Sequence, residues 1–288
     1  MKRLRILMVL FTIGHGAFAL TSQAQQPFLP VDALNSQWVF SGVVSNDAGD
    51  RYGYYFQMSR HENLFHATAA LTDAQGHDVL LFDESESKTH SFEPYYWQVG
   101  RAFLRFNPIN DSWIFGLKTH HNQGFNFKID MLTESGTLPK SRPLNARVEM
   151  LVSQTSHLNG HLQVGKDSQE QFVTAKNAWF EQTWSTDPTF DSSVVSGVFC
   201  RFDDGSGFYS IGLANALPHG ETIAGWRDPM GIASPMSQFI TVNQADDEQW
   251  HISITAPKHE LLFTNVVKQG VLAAGFLSSS MPGFCTVR

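Results

Sequence analysis

The chain has 288 residues and a formal net charge of −7, with 27 Asp and Glu against 20 Lys and Arg. That length holds one large or two medium domains, and the acidic balance repels polyanions, which sets nucleic acid aside as a partner. Aromatic residues make up 12% and charged residues only 16%, so the chain can fill a Phe-rich core or enclose an apolar cavity; the filled core is the commoner use.

In chain order, residues 1–24 read as an export signal. Met1-Lys2-Arg3-Leu4-Arg5 is basic, Ile6 to Ile13 is a short apolar run, and small residues follow at Ala17, Ala19, Ser22 and Ala24. Such a segment is too short and wrongly flanked for a membrane span. Cleavage after Ala24 suits the Ser22-Gln23-Ala24 pattern, with Ala19 as the alternative. No Cys at the cleavage region indicates a lipid anchor. Removal takes away three basic groups and no acid, leaving 17 against 27, a net charge of about −10. No later stretch approaches 18 apolar residues, so no transmembrane segment is expected in the mature chain, which should be soluble in the periplasm or outside the cell.

Strand signals dominate from there. Trp38-Val39-Phe40-Ser41-Gly42-Val43-Val44, the turn Asn46-Asp47-Ala48-Gly49-Asp50 and Tyr52-Gly53-Tyr54-Tyr55-Phe56-Gln57-Met58 form a hairpin. Further short strands are expected over 65–72, 79–82, 95–106, 112–119, 124–132 and 146–154. Residues 165–170 read as a polar linker. In the second half, 223–229 reads as strand then turn, and 239–243, 250–255, 261–265 and 271–277 as strands. No segment keeps a helical period over a dozen residues, so the fold class is all-β, a barrel or sandwich.

The halves echo each other. Val39-Phe40-Ser41-Gly42-Val43 is matched by Val194-Val195-Ser196-Gly197-Val198 at an offset of 155, and the turn Asp47-Ala48-Gly49 by Asp203-Asp204-Gly205. Equal spacing of strand, turn and aromatic return strand supports two β units from an internal duplication, 25–165 and 166–288. Cys200 and Cys285 are the two cysteines. Export places them where a pair becomes a disulfide, and closing a loop of about 85 residues would remove several kcal/mol of unfolded-state entropy in the chain model.

Two stretches resemble a known family. Ser36-Gln37-Trp38-Val39-Phe40-Ser41-Gly42 with the hairpin that follows, and Asn177-Ala178-Trp179-Phe180-Glu181-Gln182-Thr183-Trp184-Ser185-Thr186, resemble blocks of the AttH-like / carotenoid 1,2-hydratase (hydroxyneurosporene synthase) family; Phe202-Asp203-Asp204-Gly205 is similar to its L-D-D-G turn. The resemblance spans most of the mature chain in scattered blocks. It implies two lipocalin-like units with a ligand cavity at or near their junction, and relatives that hydrate an isoprenoid double bond or shape a lipophilic substrate. The chain departs from the pattern at Glu181 in place of Asp, at Thr183 in place of Glu, and at Gln37-Trp38 in place of an aromatic pair.

Hydrating an unactivated alkene needs a proton donor and a means of stabilising the cation. A buried carboxyl and aromatic faces can supply them. Glu181 is the candidate general acid. Trp38, Tyr54, Trp179 and Trp184 are the candidate ligand-binding residues. On a strand Trp179 and Glu181 share one face and Trp184 takes the other. His120-His121 and the His157/His161 pair are poor chelates on strands, so no metal is expected. Gly205-Ser206-Gly207 reads as a turn rather than a nucleophile elbow. No phosphate-binding or dinucleotide fingerprint is present, and no cofactor is expected. The leading expectation is an exported binder of a hydrophobic small molecule or lipid. The alternatives are a hydratase-like or isomerase-like enzyme on a lipophilic substrate, and a non-catalytic envelope or virulence-associated protein that works through its surface.

Overall fold

In the computed structural model, the described residues are 33–74, 78–88, 95–131, 139–155, 157–165, 169–190, 195–213, 222–234, 236, 240–245, 249–264, 267–269, 272–277 and 281–288. The export segment lies outside them. The hairpin of β1 (Asn35–Asn46) and β2 (Arg51–His61) heads the first sheet, turning at Gly49 with a positive φ that glycine adopts freely. β3 (Leu64–Asp73) and β4 (Val79–Lys88) extend it on one side. β5 (Tyr96–Val99), β6 (Ala102–Asn107), β7 (Ser112–His120) and β8 (Gln123–Asp130) form a meander. β9 (Arg142–Pro143), β10 (Val148–Thr155), β11 (His157–Val164), β12 (Gln171–Ala175) and β13 (Ala178–Ser185) complete a 13-stranded sheet. β4 and β5, the ends of the strand order, come side by side, so the sheet curls into a nearly closed barrel.

Alternation decides the two faces. Inward positions of β1, β2, β7, β8 and β13 carry Trp38, Phe40, Tyr54, Phe56, Trp113, Phe115, Phe127 and Phe180, all buried. Their rings touch in series: Phe40 stacks on Phe115 at 4.1 Å, Trp38 on Trp97 at 5.0 Å, and Trp113 lies 5.7 Å from Phe180. Each aromatic side chain removes a large apolar area from water, so this interior is the main stabilising mass of the first sheet.

A second sheet runs in the order β17 (Ala233–Ser234), β16 (Thr222–Arg227), β15 (Gly207–Leu213), β14 (Val195–Phe202), β23 (Gly283–Val287), β22 (Leu272–Phe276), β21 (Val267–Gln269). It is covered on both faces. Val195 and Phe199 of β14 pack with Val148, Met150, Val152 and Trp179 on the outer face of the first sheet. Val198, Cys200 and Phe202 turn the other way, toward Ile252, Ile254, Leu261 and Phe263 of a three-stranded sheet made by β18 (Ile240–Gln244), β19 (Gln249–Ile254) and β20 (His259–Thr264). Cys200 and Cys285 are register partners on β14 and β23 and form a disulfide. Among the described residues no helix is long and apolar enough to cross a membrane.

Two boundaries differ from the sequence reading. The segment 95–106 is two strands, because Gly100 takes a left-handed conformation and turns the chain. β12 and β13 lie beyond residue 165, yet they pair with β1, β10 and β11. The change of sheet falls between Ser185 and Val195.

Candidate functional site

β13 carries the residues singled out in the second sequence block, and its alternation splits them. Phe180, Gln182 and Trp184 lie opposite Phe40, Trp38 and Ser36 of β1, on the barrel-interior face. Trp179, Glu181 and Thr183 face the second sheet. Trp38 and Tyr54 are enclosed in the aromatic interior. Trp184 is half-buried and packs against that interior from its edge. Trp179 is held in the junction, where its indole N–H donates to the Cys200 carbonyl at 2.9 Å and its ring lies 5.7 Å from Tyr209. The four aromatic candidates therefore occupy two separate environments, with Glu181 beside Trp179 alone.

Glu181 sits in a buried polar cluster between the sheets. Arg288 donates through Nη2 to both carboxylate oxygens, and Thr183 Oγ1 donates to Oε1 at 2.6 Å. Arg288 also donates through Nη1 to Gln37 Oε1, and its guanidinium lies 6.0 Å from the Phe199 ring centre. The side chains of Glu181 and Arg288 expose 0% and 4% of their surface. Nearby, the Tyr55 hydroxyl donates to Gln57 Oε1. Burial pushes the Tyr55 phenol well above its ordinary value, against the pull of the Arg288 charge. Both carboxylate oxygens of Glu181 are thus occupied and shielded from solvent. This arrangement clamps β1, β13 and the end of β23 together.

The remaining polar motifs are structural in place. His120 closes β7 and His121 follows with a positive φ; that bend brings the two rings to 3.9 Å. Ser206 occupies the β14–β15 turn, its hydroxyl donating to Asp204 at 2.6 Å. Among the described residues no group of three or more His, Cys, Asp or Glu converges on a point.

An open cleft of about 650 Å³ lies elsewhere, on the outer face of the meander and β11. Two rows of outward side chains define it. Tyr96, Arg105 and Ile114 are successive register partners across β5, β6 and β7, and Gln98, Phe103, Gly116, Asn126 and His161 run from β5 to β11. Gly116, between Phe103 and Asn126 in the second row, lets β7 and β8 approach closely. A Cβ at Gly116 would meet the Phe125 carbonyl oxygen at 2.0 Å, and one at Gly160 would meet that of Asn126 at 2.1 Å. A register shift between Leu117 and His120 brings Lys118 and Thr119 to the rim. His161 lies 5.4 Å from Phe172, which is 49% exposed. The volume falls within the ordinary range for small-molecule sites.

Of the residues lining this cleft, the sequence reading weighed only His161, as half of a poor chelate with His157. A signal existed: in Ala102-Phe103-Leu104-Arg105-Phe106 the inward phase is Ala, Leu and Phe, so Phe103 sits on the phase that solvent-facing strands fill with polar residues.

A strongly curved antiparallel sheet with an aromatic interior defines the lipocalin-like all-β class, here backed by further sheets. A putative AttH from Nitrosomonas europaea has a similar structure, with a TM-score of 0.60, 13% identity, and coverage of 92% of this chain and 96% of that one. Kievitone hydratase from Nectria haematococca has a TM-score of 0.62 and 10% identity over 91% of each chain. CghA, solved with Sch210972, has a TM-score of 0.50 and 8% identity over 88% of this chain and 87% of that one. At such identities the likeness is one of fold. No family model matches the sequence, and no curated protein matches it.

Proposed function

We propose that this protein is an exported, lipocalin-like binder of a hydrophobic small molecule or lipid, and that the ligand lies in the outer cleft, with the aromatic interior as its rigid backing. The observation that carries this reading is the contrast between the two places. Trp38, Trp113 and Tyr54 are about 1% exposed or less, whereas the cleft offers about 650 Å³ beside Tyr96, Phe103 and Ile114. Export is supported by the leader-like first 24 residues and the Cys200–Cys285 disulfide. The test is a fluorescence titration with the neutral lipophile N-phenyl-1-naphthylamine. One-to-one binding that weakens at least tenfold in Phe103→Asn/Ile114→Asn supports the reading. Absence of binding, or equal affinity in the double variant, refutes it.

A second reading, a hydratase-like enzyme with Glu181 as the acid, has one feature in its favour: a carboxyl group buried at the sheet junction beside Trp179. It requires Arg288 to release the carboxylate so that a substrate can reach it. Glu181→Gln should then abolish turnover of any lipophilic alkene that the wild-type protein hydrates; retained turnover removes Glu181 from the chemistry.

A further inference from the structure

The cleft is not evenly apolar. Its lining carries Arg105, Lys118, His161 and Glu170 as its ionisable side chains apart from the Tyr96 phenol. Lys118 donates to Gln98 Oε1 at 2.6 Å, which fixes its ammonium on the rim. The Arg105 guanidinium is exposed and makes no ion pair among the described residues. Arg105 and Lys118 stand against a single carboxylate, Glu170, in the lining, in a chain whose formal net charge is −7. Arg105 lies two residues along β6 from Phe103, roughly 7 Å at the rise of a strand, and is the direct register partner of Tyr96 and Ile114. A single molecule can therefore lay an apolar body over Phe103, Gly116 and Ile114 and bring an acid group to Arg105.

Resting on the reading of the cleft as the binding site, we propose that its ligand class is the lipophilic carboxylate: an apolar chain or ring system ending in one carboxylate, which the Arg105 guanidinium grips with two parallel hydrogen bonds. A planar guanidinium fork fits a carboxylate in that bidentate geometry. A neutral alcohol with the same tail loses the charge-assisted bonds, and a cationic amphiphile meets repulsion at the same point.

The experiment is a calorimetric titration of the mature protein with dodecanoate, 1-dodecanol and dodecyltrimethylammonium below their aggregation limits, repeated with Arg105→Gln. The expected result is dodecanoate at least tenfold tighter than 1-dodecanol, the cation weakest, and a dodecanoate-to-dodecanol ratio that falls to about twofold in Arg105→Gln. Equal affinity for acid and alcohol, or a ratio that Arg105→Gln leaves intact, overturns the carboxylate assignment while the cleft stands as an apolar site. Failure of all three amphiphiles to bind removes the cleft reading itself, and the assignment with it.

Discussion

Glu181 shows how one residue's neighbours decide what it can do. Sequence spacing placed it on the face of Trp179 and away from Trp184, and the strand register of β13 has that alternation. The partner across the junction was not legible, because Arg288 lies 107 positions away and reaches Glu181 only when β23 pairs with β14. Two opposite charges with almost no exposure stabilise a fold only while both are present; removing one strands the other in a poorly solvated site. Arg288→Met should therefore cost about 3–5 kcal/mol. Glu181→Gln/Arg288→Met should cost clearly less than the sum of the two single changes, measured by urea unfolding. Additive costs would show that the two side chains do not depend on each other.

At the scale of the strand, alternation carried most of the legible information. The β1–β2 hairpin and the inward-facing aromatic residues follow from period two and a glycine-bearing turn. β11 carried the same pattern, with Leu158, Gly160 and Leu162 buried between half-buried or exposed His157, Asn159, His161 and Gln163. It was hidden because its inward positions include a glycine and its outward ones are strongly polar. β12 (Gln171–Ala175) begins directly after the segment 165–170, which reads as a linker. The cleft escaped notice for a different reason: it depends on the register that brings Tyr96, Phe103, Ile114 and His161 together, while Gly116 and Gly160 let β7 and β11 pack closely on either side of β8. Gly116→Ala or Gly160→Ala forces a methyl against a β8 carbonyl, and overpacking of that kind costs about 1–3 kcal/mol. Hydrogen exchange on Phe125–Phe127 should accelerate in either variant. Unchanged protection would mean that the strands can separate enough to admit the methyl without loss of pairing.

The whole molecule is held by the enclosed aromatic interior, the packing between sheets and the cross-strand disulfide. Cys200→Ser/Cys285→Ser should lower stability by about 2–4 kcal/mol, measured as a shift of the denaturant midpoint. Buried phenols add a pH dependence. Burial raises Tyr54 and Tyr55 far above the ordinary value of 10.0. Above pH 10 the unfolded chain sheds those protons while the folded chain keeps them, so the unfolded state binds fewer protons and stability falls as pH rises. Absorbance at 295 nm should show Tyr54 and Tyr55 ionising only with alkaline unfolding; their reversible titration near pH 10 in the folded protein would contradict their enclosure.

Ligand is expected outside the barrel wall, over Phe103 and Ile114, and not among the rings of Trp38 and Trp113. A crystal structure with 12-bromododecanoate, located by the anomalous signal of bromine, tests it most directly. A bromine peak on the outer face of β6–β8, with the carboxylate at Arg105, is the expected result. A peak inside the barrel, or at the junction beside Glu181, would contradict it.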